Sequence, residues 1–127
     1  MEAPVQSTRA VSLWAPVVGY MAFIFGLSSI TQPPDLPAEL SDKAGHLALY
    51  FGLSALLVRA LAGGWRERVT PMVAWLAVVM ATVYGVTDEV HQHFVPPRQM
   101  DAWDIAADAV GASLAALGGY AVSRFRL

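Results

Sequence analysis

Residues 70–93 read TPMVAWLAVVMATVYGVTDEVHQH, and this stretch decides the fold class. It opens on Thr70-Pro71, a capping hydroxyl followed by proline at the first helical position, where the missing N–H costs nothing. No charge follows until Asp88. A helix needs about 20 mostly apolar residues, at about 1.5 Å each, to cross the hydrocarbon core of a bilayer. The segment is long enough, and Pro96 and Pro97 forbid its continuation. It reads as a membrane-spanning helix with two adjacent carboxyls near one end.

Three more spans follow from the same reasoning. Residues 11–30 carry no charge, and Pro16 among them predicts a kink that a neighbouring helix must support. This run is long for a cleaved signal peptide, and no small-x-small cleavage pattern follows it. Residues 41–62 form the second span, with Ser41 as N-cap and Gly63-Gly64 as the stop. Residues 102–122 form the fourth, capped by Asp101. Composition agrees: 56% of residues are hydrophobic and only 14% charged, against roughly 25% charged in a soluble domain. The expected fold is an all-α four-helix transmembrane bundle, one domain over residues 1–127.

Charge sets the expected orientation. Arg9, Arg59, Arg66, Arg68, Arg124 and Arg126 fall on one side of such a bundle, and only Lys43 and Arg98 on the other. By the positive-inside rule both termini are cytoplasmic. Most carboxyls divide the opposite way, with Glu2 and Glu67 inside. A net charge of −2 and the lack of any basic face argue against a nucleic-acid partner. There is no cysteine, hence no thiolate ligand or thiol nucleophile. Trp14, Trp65 and Trp103 read as interfacial anchors, and Trp75 as packing within the third span.

The polar residues collect at the outer ends of three helices. Asp42 and His46, Asp88 and Gln92, Glu89 and His93, and Asp104 and Asp108 are each four apart, so each pair shares a helix face. Asp108 lies deepest, roughly 10 Å along its helix. An ionisable group at that depth faces the bundle interior or a wet cavity and marks a functional site. Carboxyls one turn apart repel, so one holds a proton, pairs with Lys43 or Arg98, or binds a cation. The blander readings are that Asp42, Asp101 and Asp104 complement helix dipoles, Lys43 snorkels, and His91 and His93 are interfacial.

In these residues the sequence resembles the VanZ-like membrane proteins. The family pattern has Asp-Lys followed by His, matched by Ser41-Asp42-Lys43-Ala44-Gly45-His46. Its Asp-Glu-x-x-Gln is matched by Asp88-Glu89-Val90-His91-Gln92, its Pro-Gly-Arg by Pro96-Pro97-Arg98, and its Asp-x-x-x-Asn before a glycine by Asp104 to Asp108 and Gly111. The match covers residues 41–118. Pro97 stands where the family commonly has Gly, and Asp108 where it commonly has Asn. The resemblance implies a small multi-pass protein of the bacterial cytoplasmic membrane in a cell-envelope setting, with no particular reaction.

Two functions from different classes follow. The first is a ligand-binding or catalytic cluster at the extracytoplasmic face, acting on an envelope lipid or its headgroup. Asp42, Lys43, His46, Asp88, Glu89, Gln92, Arg98, Asp104 and Asp108 form it, with Arg98 and Lys43 holding an anion and a carboxylate or His46 as base. A divalent metal on His46, Asp88, Asp104 and Asp108 is a narrower variant, and no other cofactor is implied. The second is an accessory or assembly subunit of a larger membrane complex. Its support is the face of Ala107, Gly111, Ala115 and Gly119, which suits close packing within the bundle, against another subunit or against a second copy.

Overall fold

Thr70 caps as its position predicts: its hydroxyl accepts the Val73 amide at 3.1 Å, and Pro71 takes the first helical position. In the computed structural model this helix is the third of four: α1 (Ala3–Ser28), α2 (Ala38–Ala62), α3 (Pro71–His93) and α4 (Ala102–Phe125). The structure describes residues 3–29, 38–95 and 101–126, with side chains from 6, 43 and 101 onward in those segments. Arg98 and the side chain of Asp42, both read as cluster members, lie outside the described residues.

All four helices are long and apolar enough to cross a membrane. The apolar residues face the wrong way for water. Phe23, Phe25, Met72, Trp75, Val83, Leu114 and Leu117 are exposed on outward faces. Such a surface suits a hydrocarbon solvent, in which helices satisfy their own backbone. Trp75 is a correction to the packing expected of it: it is 64% exposed. The inner face of α3 is built from Ala77, Ala81 and Gly85, which leave no gap for an indole. Trp14 packs against the core with part of its surface exposed. Ser41 is not a cap, since Ala38, Glu39 and Leu40, all good helix formers, extend α2 before it.

The helices meet through small residues. The most extensive contact joins α2 to α4, followed by α3 to α4; α1 packs mainly on α2. Gly111 of α4 lies against the backbone carbonyl of Leu47, so close that a Cβ there would overlap it. Ala112 and Ala116 are buried on the same face, and Ser54 donates to the Ala112 carbonyl at 2.8 Å. Gly119 continues this face beside Val58 and Val69. The small-residue face is thus used inside the chain, against α2. Tyr50, Leu53 and Leu57 of α2 fill the centre with Val17 and Ile24 of α1.

Helix α1 stays helical through Pro16. Proline has no N–H to give the carbonyl four residues earlier. That carbonyl belongs to Ser12, and the Arg59 guanidinium of α2 donates to it at 3.1 Å. The neighbouring helix supplies the missing donor. At the same end Gly63 and Gly64 stop α2 at positive φ of 100° and 150°, conformations open to glycine. Arg9 donates to the Gly63 carbonyl at 2.8 Å, and Arg126 to the Trp65 carbonyl at 3.1 Å.

The contact at Gly111 generates a prediction. Gly111→Val is expected to destabilise the bundle by about 2 kcal/mol or more, because backbone cannot yield as a side chain can. Gly118→Ala, whose Cβ meets nothing within 4 Å, should stay within about 1 kcal/mol of wild type. Unfolding in mild detergent followed by circular dichroism distinguishes them.

Candidate functional site

Each helix changes character towards the end opposite Gly63. On α3 the inward stripe runs Ala77, Ala81, Gly85 and then Asp88, Glu89 and Gln92, all buried. On α4 the stripe of Ala116, Ala115, Ala112 and Gly111 ends in Asp108 and Asp104. On α2, Tyr50 and His46 lie one turn apart on the buried side. Helical periodicity therefore places apolar packing and the polar group on one continuous inner surface.

His46 is the hub. Its Nδ1 lies 2.7 Å from Asp108 Oδ1. Its Nε2 lies 3.6 Å from Asp104 Oδ2 and 3.8 Å from Glu89 Oε1. With Asp108 as carboxylate, Nδ1 carries the proton and donates, and Nε2 faces the other two acids. A carboxylate holding one ring nitrogen so that the other can act is the arrangement used for general bases and for metal-bound imidazoles. Asp108 is fully buried, and its second oxygen has no hydrogen-bond partner among the described residues. Gly85 makes room for that oxygen, since a Cβ there would come within 2.6 Å of it.

Around this hub are three further groups. The Lys43 ammonium bridges Asp101 Oδ2 at 2.7 Å and Asp104 Oδ1 at 2.5 Å. Its hydrogen bond holds the Asp101 carboxyl below the usual aspartate range. The Asp101 carboxylate also caps α4 through the Trp103 amide at 2.9 Å, and the Asp101 amide donates to Glu89 Oε2 at 3.2 Å. Ser28, at the end of α1, donates a short hydrogen bond to Asp88, and Gln92 reaches the same hydroxyl at 3.5 Å. Tyr50 lies parallel to His46, ring centroids 6.4 Å apart, with its hydroxyl buried and unpartnered.

Of the residues expected from the sequence, Lys43, His46, Glu89, Asp104 and Asp108 converge on one another. Asp88 and Gln92 form a neighbouring group with Ser28 of α1. His93 is exposed and does not extend the Glu89 face inward. His91 stacks on Phe25, ring centroids 4.1 Å apart. Sequence reasoning gave Asp101 only a capping role and missed Ser28, Tyr50 and Gly85. Tyr50 follows His46 by one turn, and Ser28 follows Val17 and Ile24 along the buried stripe of α1, so both were reachable by extending the faces.

Chemically, the described side chains at this end offer five carboxyls, from Asp88, Glu89, Asp101, Asp104 and Asp108, against one ammonium, from Lys43, and one buried imidazole, from His46. Lys43 is committed to two carboxylates and does not face an incoming anion. A group this acidic in a low-dielectric bundle shares protons or draws in a cation. The imidazole with its aspartate is suited to proton transfer.

Breaking one side of a buried hydrogen bond to a carboxylate strands the other. His46→Phe and Asp108→Asn are each expected to cost about 3 kcal/mol, and the double variant at least 1 kcal/mol less than their sum. Denaturation in mild detergent measures this, and additive losses would show that the two side chains do not interact. In comparisons with family models, curated proteins and solved structures, nothing matched this chain.

Proposed function

We propose that this chain is a multi-pass protein of the bacterial cytoplasmic membrane, similar to the VanZ-like proteins. Both its termini are cytoplasmic, and the His46 end of the bundle is extracytoplasmic. In this reading the cluster binds or acts on the headgroup of an envelope lipid. The observation that carries it is His46, buried eight residues into α2, oriented by Asp108 and turned towards Glu89 and Asp104. An oriented imidazole among buried acids suits proton transfer to or from a bound group. Ionisable side chains at membrane depth are there for function, because holding them there is unfavourable. Arginines gathered at the Gly63 end support the orientation.

Orientation has a direct test, because the chain contains no cysteine. In intact cells a membrane-impermeant maleimide is expected to label Val95→Cys and leave Glu67→Cys unlabelled until the cells are opened. The reverse pattern would invert the topology.

Native mass spectrometry of the chain extracted from its own membrane in mild detergent tests the ligand. The expected spectrum shows the chain alone or as a homodimer, carrying a specific lipid that Asp88→Asn loses while its melting curve is kept. Stoichiometric protein partners and no lipid would instead favour an accessory subunit of a larger complex, with the cluster serving as internal glue.

A further inference from the structure

We propose that His46, Glu89 and Asp108 form a binding site for one divalent transition-metal ion of the Zn²⁺ or Mn²⁺ kind, an inference that rests on the ligand-binding reading above and gives it a chemistry. The three are brought together by α2, α3 and α4, all are buried, and each offers a donor atom within 4.8 Å of the others. Zinc bonds to nitrogen and carboxylate oxygen are about 2.0–2.2 Å, so donors around one ion lie within roughly 4.2 Å of each other. His46 Nε2 and Glu89 Oε1, at 3.8 Å, already satisfy that limit. The third donor lies within 4.8 Å, and Asp108 reaches an ion on Nε2 by exchanging its hydrogen bond to Nδ1 for the metal.

Two independent observations point to a ligand here. Asp108 Oδ2 is fully buried with no partner among the described residues, although the other oxygen of the same carboxyl is engaged by His46. It is accommodated at Gly85, one turn below Glu89 on the same face of α3. The Tyr50 hydroxyl, also fully buried, has no partner among them either. It lies one turn below His46, on a ring stacked parallel to the imidazole. Buried polar atoms are nearly always satisfied, and the exceptions mark places where a water or an ion binds. One imidazole with two carboxylates suits first-row divalent ions, whereas Mg²⁺ and Ca²⁺ favour all-oxygen sites.

The ligand set differs from the one the sequence suggested. Asp88 is turned to Ser28, and Asp104 shares Lys43, whereas Glu89 faces the imidazole. A bound dication would offset the surplus of acid. It would also give an anionic headgroup a point of attachment that Lys43, held by Asp101 and Asp104, does not supply.

The test is a titration of the chelator-stripped full chain in lipid nanodiscs with Co²⁺, read by visible absorption, followed by displacement with Zn²⁺. Saturation at one equivalent per chain is expected. His46→Gln and Glu89→Gln should each weaken binding at least tenfold, whereas Glu67→Gln, exposed at the other end, should leave it unchanged. In the unaltered chain binding should weaken as pH falls from about 8 to 6, since protons compete for the ligands. No saturation below about 1 mM overturns the proposal, as does pH-independent binding or binding undiminished in both variants. A chain that binds no Co²⁺ but keeps its lipid in native mass spectra loses the metal site alone. Loss of the lipid with Co²⁺ binding intact removes the headgroup reading instead.

Discussion

The structure depends on one close approach. Gly111 of α4 lies directly against the Leu47 carbonyl of α2, and those two positions sit beside the chemistry: Leu47 follows His46, and Gly111 lies three residues from Asp108. Only a residue without a side chain allows the backbones so near. In a membrane there is no hydrophobic force between helices, and association comes from close packing and interhelical hydrogen bonds. Packing and site are therefore one feature. The small-residue stripe draws α2 and α4 together, and the His46–Asp108 contact is formed by the same approach at the end opposite Gly63.

A bundle built this way tolerates polarity at one end because each buried acid has a structural answer. Asp88 receives the Ser28 hydroxyl, Asp104 shares the Lys43 ammonium, Glu89 accepts the Asp101 amide, and Asp108 takes the imidazole. The opposite end is held differently, by arginines on backbone carbonyls. Arg59 is the clearest case, since it serves the Ser12 carbonyl that Pro16 leaves without its usual donor. The two ends thus divide the work: basic side chains secure helix ends and the proline turn at one, and a network of acids surrounds an imidazole at the other.

Much of this was legible in the sequence. Four spans and their punctuation at Gly63-Gly64, Thr70-Pro71 and Asp101 follow from length, hydropathy and capping chemistry, all local properties. The convergence of His46 with Glu89, Asp104 and Asp108 was accessible because helical spacing puts them on inner faces at one depth. What stayed hidden depended on distances between helices. Nothing local shows that Lys43 would be shared by Asp101 and Asp104, and so removed from anion binding, or that Glu89 would face the imidazole while Asp88 turns to α1. Trp75 was misread for a related reason: hydropathy cannot say which side of an apolar helix faces lipid.

The central claim is that His46 is held inside the bundle by Asp108 with its second nitrogen turned towards Glu89 and Asp104. Nitrogen-15 solid-state NMR of histidine-labelled protein in bilayers tests it most directly, since only His91 and His93 share the spectrum. The account predicts a His46 signal with Nδ1 protonated and strongly hydrogen-bonded, shifted by Asp108→Asn while His91 and His93 stay in place. A His46 signal matching a water-exposed imidazole, unmoved by Asp108→Asn, would contradict it.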